Sequence, residues 1–509
     1  MGVLAFADDL TLLADSDAEM EAILRICERF FDQRGLAVNV KKCMSLRMIP
    51  VKNKHILKCT TQNHRYWKGR PLPAMSYKDL GKYLGVMLNP AGEVVIDEQD
   101  WLRQLNNLSS SKLKPYQKVE VLRETVIGKM VYSFRLADLP HSKLAKWDRV
   151  LRKYYRRWLH LPSFTPTAWI HSSTGGKLPS LAEILVTSKA KGVHGLLNNE
   201  DDVAVEAGLE CTPYIERLKT TARVGGLIYT EMKDHFMAVK RTRLRHGPNG
   251  QALLTMANSS RSRKWLWDGS LYGNRFMTSL KLLSGVLPTK LNLTRGIRKE
   301  IRDTYCRYGC RVSETDLHIL SDCPRVKGLR IERHDKIVES MAIYLRRIGN
   351  YVTTERTFVH RGITGQRIKL KPDLVIITPS GEVHIGDVAV PYEQSTLYMN
   401  KLLSKKQKKY KGLLLSWRDR FETTFPAFFQ SRNAGGTGMG TTAISKLRCG
   451  RTFGFIIGST GTITEEGLYQ FDKIGLNRTQ VDTTAKLACS GSAKLASVFL
   501  STDRLIGTA

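Results

Sequence analysis

The stretch Lys371-Pro372-Asp373-Leu374-Val375-Ile376-Ile377, then Thr378-Pro379-Ser380-Gly381, then Glu382-Val383-His384-Ile385-Gly386-Asp387-Val388-Ala389-Val390-Pro391-Tyr392-Glu393 reads as a β-hairpin with one acid on each strand. Side chains alternate along strands, so Asp373 and Asp387 can converge on one edge and share a metal ion. A cation there, Mg²⁺ by expectation, lowers the pKa of bound water and steadies a phosphorane-like transition state. A lysine is then wanted to orient or help deprotonate that water. Residues Leu397 to Trp417 read as a lysine-rich helix that offers Lys405, Lys406, Lys408 and Lys409, although a solvated helix face explains Lys401 and Lys405 as well. Upstream, Arg330 to Arg347 reads as helical and Tyr351 to Val390 as short strands with glycine or proline turns. An α/β-like tail runs to Ala509.

Cys306-x3-Cys310-x7-His318-x4-Cys323 supplies four soft or borderline ligands. Three thiolates and one imidazole suit tetrahedral Zn²⁺, and four protein ligands close the site, which makes it structural. Binding would help to fold a segment too short to bury its own core. Arg307, Arg311, Arg325, Lys327 and Arg330 surround the cluster, so it is also a candidate nucleic-acid contact.

At the other end, Val3 to Leu13 reads as two short apolar strands joined at Asp8-Asp9. Adjacent carboxylates at a hairpin tip are costly unless a cation joins them, and nucleotidyl transfer uses two such ions; a solvated turn is the plain alternative. Asp17 to Arg34 reads as an amphipathic helix, capped by Ser16 or Asp17 and stopped at Gly35. Leu36 to Val38 returns to strand character, and Lys82 to Val86 reads as a short strand or tight turn. Trp101 to about Leu159 is helical and basic, and it ends where Lys153, Arg156 and Arg157 interleave with Tyr154, Tyr155 and Trp158. Those aromatics suit a buried helix face as well as a nucleic-acid contact.

The whole chain has 509 residues, more than one core usually supports, so two to four domains are expected. Lys and Arg number 80 against 47 Asp and Glu, a net charge of +33 that favours a polyanionic partner, nucleic acid before a membrane surface. No apolar run approaches the length of a membrane span, and the first residues lack the basic leader of a secretory signal. Nine scattered cysteines fit a reducing compartment.

Several of these motifs carry a family resemblance. Phe6-Ala7-Asp8-Asp9 resembles the catalytic box of reverse transcriptases. Gly35-Leu36-Ala37-Val38-Asn39-Val40-Lys41-Lys42 is similar to the next palm motif, and Tyr83-Leu84-Gly85 looks like the primer grip. The resemblance implies that Asp8 and Asp9 are metal ligands and that Lys42 assists pyrophosphate departure. Leu287-Pro288-Thr289-Lys290 through Arg295-Gly296, followed by the C-C-H-C cluster, resembles the linker of site-specific non-LTR retrotransposons that insert into ribosomal RNA genes; Ser284-Gly285-Val286 departs from the family's His-Ile-Asn. Thr174-Gly175-Gly176 is similar to a glycine turn of that family, with Lys177-Leu178-Pro179 departing from it. In the PD-(D/E)xK nuclease pattern the lysine lies two residues after the second acid, where this chain has Ala389. In the restriction-like nuclease of these elements it is displaced onto a helix, and Lys406-Gln407-Lys408-Lys409-Tyr410 fits. The resemblance therefore implies Lys406 as the catalytic lysine, with Lys409 and Tyr410 supporting. Glu355 or Glu339 is a further candidate ligand, and Gly454 to Gly461 matches the family's distal strand and structural glycine turn.

Together these imply an α+β multidomain protein. Its expected parts are a palm remnant with a catalytic hairpin (1–95), a helical thumb carrying Lys153, Arg156 and Arg157 on nucleic acid (96–175), a mostly helical linker with Arg295 (176–300), a zinc knuckle with Arg307 and Arg311 (301–328) and a restriction-like endonuclease (329–509). The palm's third aspartate and the fingers are missing from these residues, so a C-terminal part of such a protein is expected. The implied activity is DNA nicking for target-primed reverse transcription, with structural Zn²⁺, catalytic Mg²⁺, target DNA and element RNA as partners, no membrane, and a nuclear or nucleolar location. The alternatives are a catalytically inactive relic that binds nucleic acid through charge and zinc, and a basic scaffold without metal.

Overall fold

The structure, a computed structural model, describes residues 2–51, 57–62, 65–137, 139–173, 175–222, 229–246, 252–255, 264–271, 273–295, 303–361, 366–417, 424–425 and 447–501. Thr174 and Gly296, quoted with the motifs above, lie outside them. The fold is a mixture of helices and small sheets, an α+β architecture. The chain forms two compact units, Met1–Ser111 with Val121–Asp148 and Leu181–Met232, and Lys112–Glu120 with Arg149–Ser180 and Lys233–Ala509. Among the described residues no helix is long and apolar enough to cross a membrane.

In the first unit, strands β1 (Gly2–Phe6) and β2 (Asp9–Leu13) pair antiparallel across a tight turn in which Ala7 adopts φ +53°. Helix α1 (Asp17–Gln33) follows, and the Ser16 hydroxyl caps it by accepting from Glu19 N–H. It packs Leu24 and Phe31 against Trp67 and Leu72. The strand expected over Leu36 to Val38 is absent: these residues are irregular and run into a single 3₁₀ turn, Val40–Lys42. A run of three residues after a glycine stop has no partner strand here to satisfy its backbone groups. Gly81–Tyr83 and Val86–Leu88 form a hairpin whose two turn residues, Leu84 and Gly85, both have positive φ, the turn that matches strand twist. Helices Glu98–Ser110 and Gly128–Leu136 bury Trp101, Leu105 and Phe134.

The second unit is built on a four-stranded sheet. Helix α2 (Lys327–Arg347) leads into β3 (Tyr351–Thr354), β4 (Leu374–Ile377) and β5 (Glu382–Ala389), which pair antiparallel in order. Helix α3 (Thr396–Ser416), capped by the Ser395 hydroxyl, returns the chain so that β6 (Arg448–Ile456) lies parallel to β5. Leu374 to Ile377 are buried on both faces, which explains their unbroken apolar run. One face of the sheet packs Val375, Ile377, Val383 and Ile385 against Tyr410, Leu413, Leu414 and Trp417 of the region around α3. Helix α2 packs against β3, β4 and β5 and buries Ile337, Val338, Met341 and Leu345. Helix α4 (Arg478–Ser501) packs along α2, with Gly491 and Ser492 against Arg333, and buries Ala485, Ala488, Ala493 and Ala496.

Candidate functional site

Leu374 faces Gly386 in the β4–β5 register, so Asp373, one residue before β4, stands opposite Asp387. Asp387 alternates with Val383 and Ile385 onto the α3 side of the sheet and is 2% exposed. Helix α3 brings three side chains to it. Lys406 Nζ forms an ion pair with Asp387 Oδ2, the Tyr410 hydroxyl lies 3.1 Å from Oδ1, and Lys409 Nζ donates to the Tyr410 oxygen at 2.8 Å. The Tyr410 hydroxyl also lies 3.0 Å from the Lys371 carbonyl, so its one proton is shared between that carbonyl and Asp387. Asp387 Oδ2 is buried, and its one neighbour among the described residues is the Lys406 ammonium. Burial pushes the Asp387 carboxyl above the usual range, the Asp373 charge adds to this, and Lys406 only partly offsets both. A hard divalent cation fits this arrangement: two facing carboxylates, one buried with only the Lys406 charge on its Oδ2 and costly to ionise beside its neighbour.

Asp373 has a partner that sequence reasoning missed. His334, on α2, places Nε2 3.2 Å from Asp373 Oδ2, and the Val388 N–H donates to the same oxygen at 2.6 Å. Burial works against the Asp373 charge, yet His334, the Val388 N–H and Lys406 outweigh it and hold the carboxyl below its usual range. The reciprocal effect on His334 is larger. Burial disfavours the imidazolium, but the Asp373 hydrogen bond and charge, helped by Asp335, push it up to about 9. His334 Nδ1 lies 3.1 Å from Asp335, and Glu355 completes a group whose ligand atoms lie within 4.8 Å of one another. Lys371 already pairs with Glu355 at 2.6 Å. Glu339, the other acid considered, forms no part of this group.

Cys306, Cys310, His318 and Cys323 bring one ligand atom each within 4.8 Å of one another. Cys310 Sγ and Cys323 Sγ are 3.9 Å apart, close to the edge of a tetrahedron with metal–sulfur bonds of about 2.3 Å, roughly 3.8 Å. His318 Nε2 is buried with no hydrogen-bond partner, and burial keeps the imidazole neutral, with its pKa lowered. Burial and the adjoining thiols push Cys323 up to about 12, a penalty that a dication would remove. Zinc therefore fits. The spacing works through a wide turn: Cys323 N–H bonds to His318 O at 2.7 Å, a π-type turn that puts residues five apart on one side. Glu314, fully buried, accepts from Arg307 and from Lys290 N–H, and Asn292 donates to Leu287 O and to Asp316. The Leu-Pro-Thr segment and the cysteine cluster are thus one hydrogen-bonded body.

The other candidates are dispersed. Arg307 is turned inward on Glu314, with its side chain 9% exposed, rather than outward as a phosphate contact requires; its position beside two candidate metal ligands gave no sign of that. Arg295 and Arg311 are exposed. Lys153 and Arg157 project into solvent, Arg156 donates to Thr165 O, and Tyr155 and Trp158 are buried, so the aromatics serve the core. Asp8, Asp9 and Lys42 are exposed, and among the described residues no third acid, histidine or cysteine gathers with the two aspartates. The Gly458–Gly461 turn closes around Glu393, an acid also missed. Thr460 N–H, Thr460 Oγ1 and Ser459 Oγ donate to it at 2.6–2.8 Å, so the loop's donors are committed to a buried carboxylate.

No family model matches the chain. Among curated proteins, the Retrovirus-related Pol polyprotein from type-1 retrotransposable element R2 of Nasonia vitripennis is 28% identical over 395 residues, 74% of this chain and 35% of the relative. That of type-2 element R2DM of Drosophila melanogaster is 29% identical over 385 residues, 73% of this chain and 35% of the relative. A Popillia japonica R2 relative is 27% identical over 410 residues, 76% of this chain and 80% of the relative. The chain spans about a third of the length of the first two. The homologues of this chain are the Pol polyproteins of R2 retrotransposable elements, site-specific non-LTR elements that insert into ribosomal DNA.

Proposed function

We propose that the chain carries a Mg²⁺-dependent DNA endonuclease that nicks target DNA, so that the freed 3′-hydroxyl primes reverse transcription of element RNA. The observation that carries this is the juxtaposition of Asp373 and Asp387 at facing positions of two strands, with Lys406 delivered to Asp387 by a packed helix. With the separate hairpin Phe358–Arg361 and Arg367–Leu370 set aside as an insertion between β3 and β4, the α-β-β-β-α-β order of the elements from α2 to β6 supports a restriction-like reading of 329–509. When bound between the two carboxylates, the cation would lower the pKa of a water and offset charge on the scissile phosphate. Lys406, already beside Asp387, would donate to that water or to a phosphate oxygen. Tyr410 ties Asp387 to the Lys371 carbonyl and so fixes the two strand ends against each other, with Lys409 donating to its oxygen.

On the same reading Zn²⁺ holds Cys306, Cys310, His318 and Cys323 together as a structural knuckle (301–328) joined to the linker (176–300). Arg295 and Arg311, with Lys153 and Arg157 of a thumb (96–175), contact nucleic acid, and affinity falls with salt. Residues 1–95 are read as part of a polymerase palm in which Asp8 and Asp9 bind metal and Lys42 assists pyrophosphate departure. The partners are target DNA and element RNA, and the place of action is the nucleus. The test is nicking of supercoiled ribosomal DNA by the purified chain in Mg²⁺. Asp373→Ala with Asp387→Ala should abolish nicking and leave the gel shift on DNA in place. A wild-type chain that binds DNA without nicking it would replace the nuclease with the inactive, zinc-bearing nucleic-acid binder.

A further inference from the structure

We propose that His334 is a positioning residue of the Asp373–Asp387 centre, which orients the Asp373 carboxylate for its cation from a helix on the far side of the strand. The inference rests on the nuclease reading and adds a residue to it.

Both hydrogen bonds to Asp373 fall on one oxygen. Oδ2 accepts from His334 Nε2 at 3.2 Å and from Val388 N–H at 2.6 Å, and among the described residues Oδ1 accepts none. An ionised carboxylate only accepts, so Nε2 is the ring nitrogen that carries the proton toward it. The ring is itself held, with Nδ1 3.1 Å from Asp335 Oδ1 and the histidine side chain 27% exposed. Its neighbour Arg333 anchors the helix at this level: buried, it donates to Val390 O, beyond the end of β5, and to Ser492 Oγ on α4. The imidazole therefore reaches Asp373 from a fixed backbone. Two donors on one oxygen leave the other as the open ligand atom, which is what a group lying behind a metal-binding carboxylate does. Removing such a partner ordinarily costs about 10- to 100-fold in metal affinity or activity.

The full chain with His334→Ala and with His334→Gln separates this role from others. Mn²⁺ binding is measured by calorimetry without DNA, and nicking is followed as a function of Mg²⁺. His334→Ala should weaken Mn²⁺ binding and raise the Mg²⁺ half-saturation by about 10- to 100-fold, with most of the rate regained at saturating Mg²⁺. His334→Gln, whose amide can donate to the same oxygen, should recover most of the affinity. Unchanged Mn²⁺ affinity in His334→Ala overturns the proposal, whether or not the protein melts earlier. So does a rate loss that saturating Mg²⁺ does not relieve, because that marks a group acting on the reacting atoms. A wild-type chain that never nicks, yet binds Mn²⁺ in a His334-dependent way, defeats the nuclease and leaves this inference standing; one that binds no Mn²⁺ defeats both.

Discussion

Gly454→Ala adds a single methyl group at the point where β6 carries α3, and its effect can be worked from the geometry. Gly454 faces Asp387 in the parallel register of β5 and β6. A Cβ there would lie 2.7 Å from the Leu403 carbonyl oxygen and 3.3 Å from both Leu403 Cα and Lys406 Cβ. The obstacle is helix backbone, which cannot swing aside as a side chain can, so α3 must withdraw by about half an ångström. Overpacking of this kind costs about 1–3 kcal/mol. For a unit of this size, with about 2 cal/mol/K of unfolding entropy per residue, that lowers the melting temperature by about 1.5 to 4.5 °C. The same displacement moves Lys406 relative to Asp387. Since about 1 Å of misplacement costs about 10²-fold in rate, a loss near tenfold is expected. Calorimetric melting, nicking at 25 °C and a DNA gel shift measure the three quantities, and the gel shift should not move. Gly328→Ala on α2, where a Cβ meets nothing within 4 Å, is the control and should leave or slightly raise the melting temperature. If Gly454→Ala melts within a degree of wild type and nicks within twofold, α3 is not pressed onto the strand at Lys406 and the account of the site is wrong.

Prolonged chelation, or Cys310→Ala, should remove one zinc per chain by elemental analysis and lower the melting temperature of the second unit; a protein purified without zinc that ignores the chelator contradicts the knuckle. Glu393→Ala should cost about 3–5 kcal/mol, since three loop donors and the nearby buried Arg333 lose their anion, whereas Glu393→Gln should cost less; equal melting of the two would refute the caged-carboxylate reading. Asp17 is held below the usual carboxyl range by its hydrogen bond from Arg47, against burial and with help from Arg65. Its contribution is therefore present above the unfolded pKa of about 4 and is lost as pH falls through the lower folded value, so Asp17→Asn should flatten the acid limb of the first unit's stability.

The facing acids were legible because strand alternation is strict and the hairpin turn is short, so the register follows from Thr378 to Gly381 alone. The gathering of Cys306, Cys310, His318 and Cys323 was legible from ligand chemistry, although its π-type turn was not: nothing in His-x4-Cys states that the turn will take in the extra residue that lets residues five apart meet. His334 was invisible for a different reason. It lies 39 residues from Asp373 on a helix whose periodicity reports only its apolar face, and a half-buried polar position on such a helix looks the same whether it meets water or a carboxylate. Arg307 misled because charge near a metal site says nothing of direction; the buried Glu314 seven residues on decides it. Leu36 to Val38 shows the limit for short apolar runs, where only a partner strand makes a strand.

Helix α2 gives these separate features one mechanical frame. It begins four residues after Cys323, and its first turns hold the cysteine-histidine segment from two sides: Arg330 donates to Cys323 O at 2.5 Å, and Arg333 reaches Leu320 O as well as Val390 O. One residue further on, His334 holds Asp373. The cysteine-histidine cluster and the acidic centre are therefore fixed to a single rigid element within five residues of each other along it, Arg330 to His334. Arg333 itself is buried and 5% exposed, a cation kept in place by two carbonyls and a serine, with Glu393 as its nearby anion. Breaking one side of such an arrangement leaves an uncompensated buried charge, so the segment resists sliding along α2. A cysteine-histidine body docked this way does more than decorate the surface: it closes the end of the helix that carries His334, and the position of Asp373 depends on that helix as much as on its own strand.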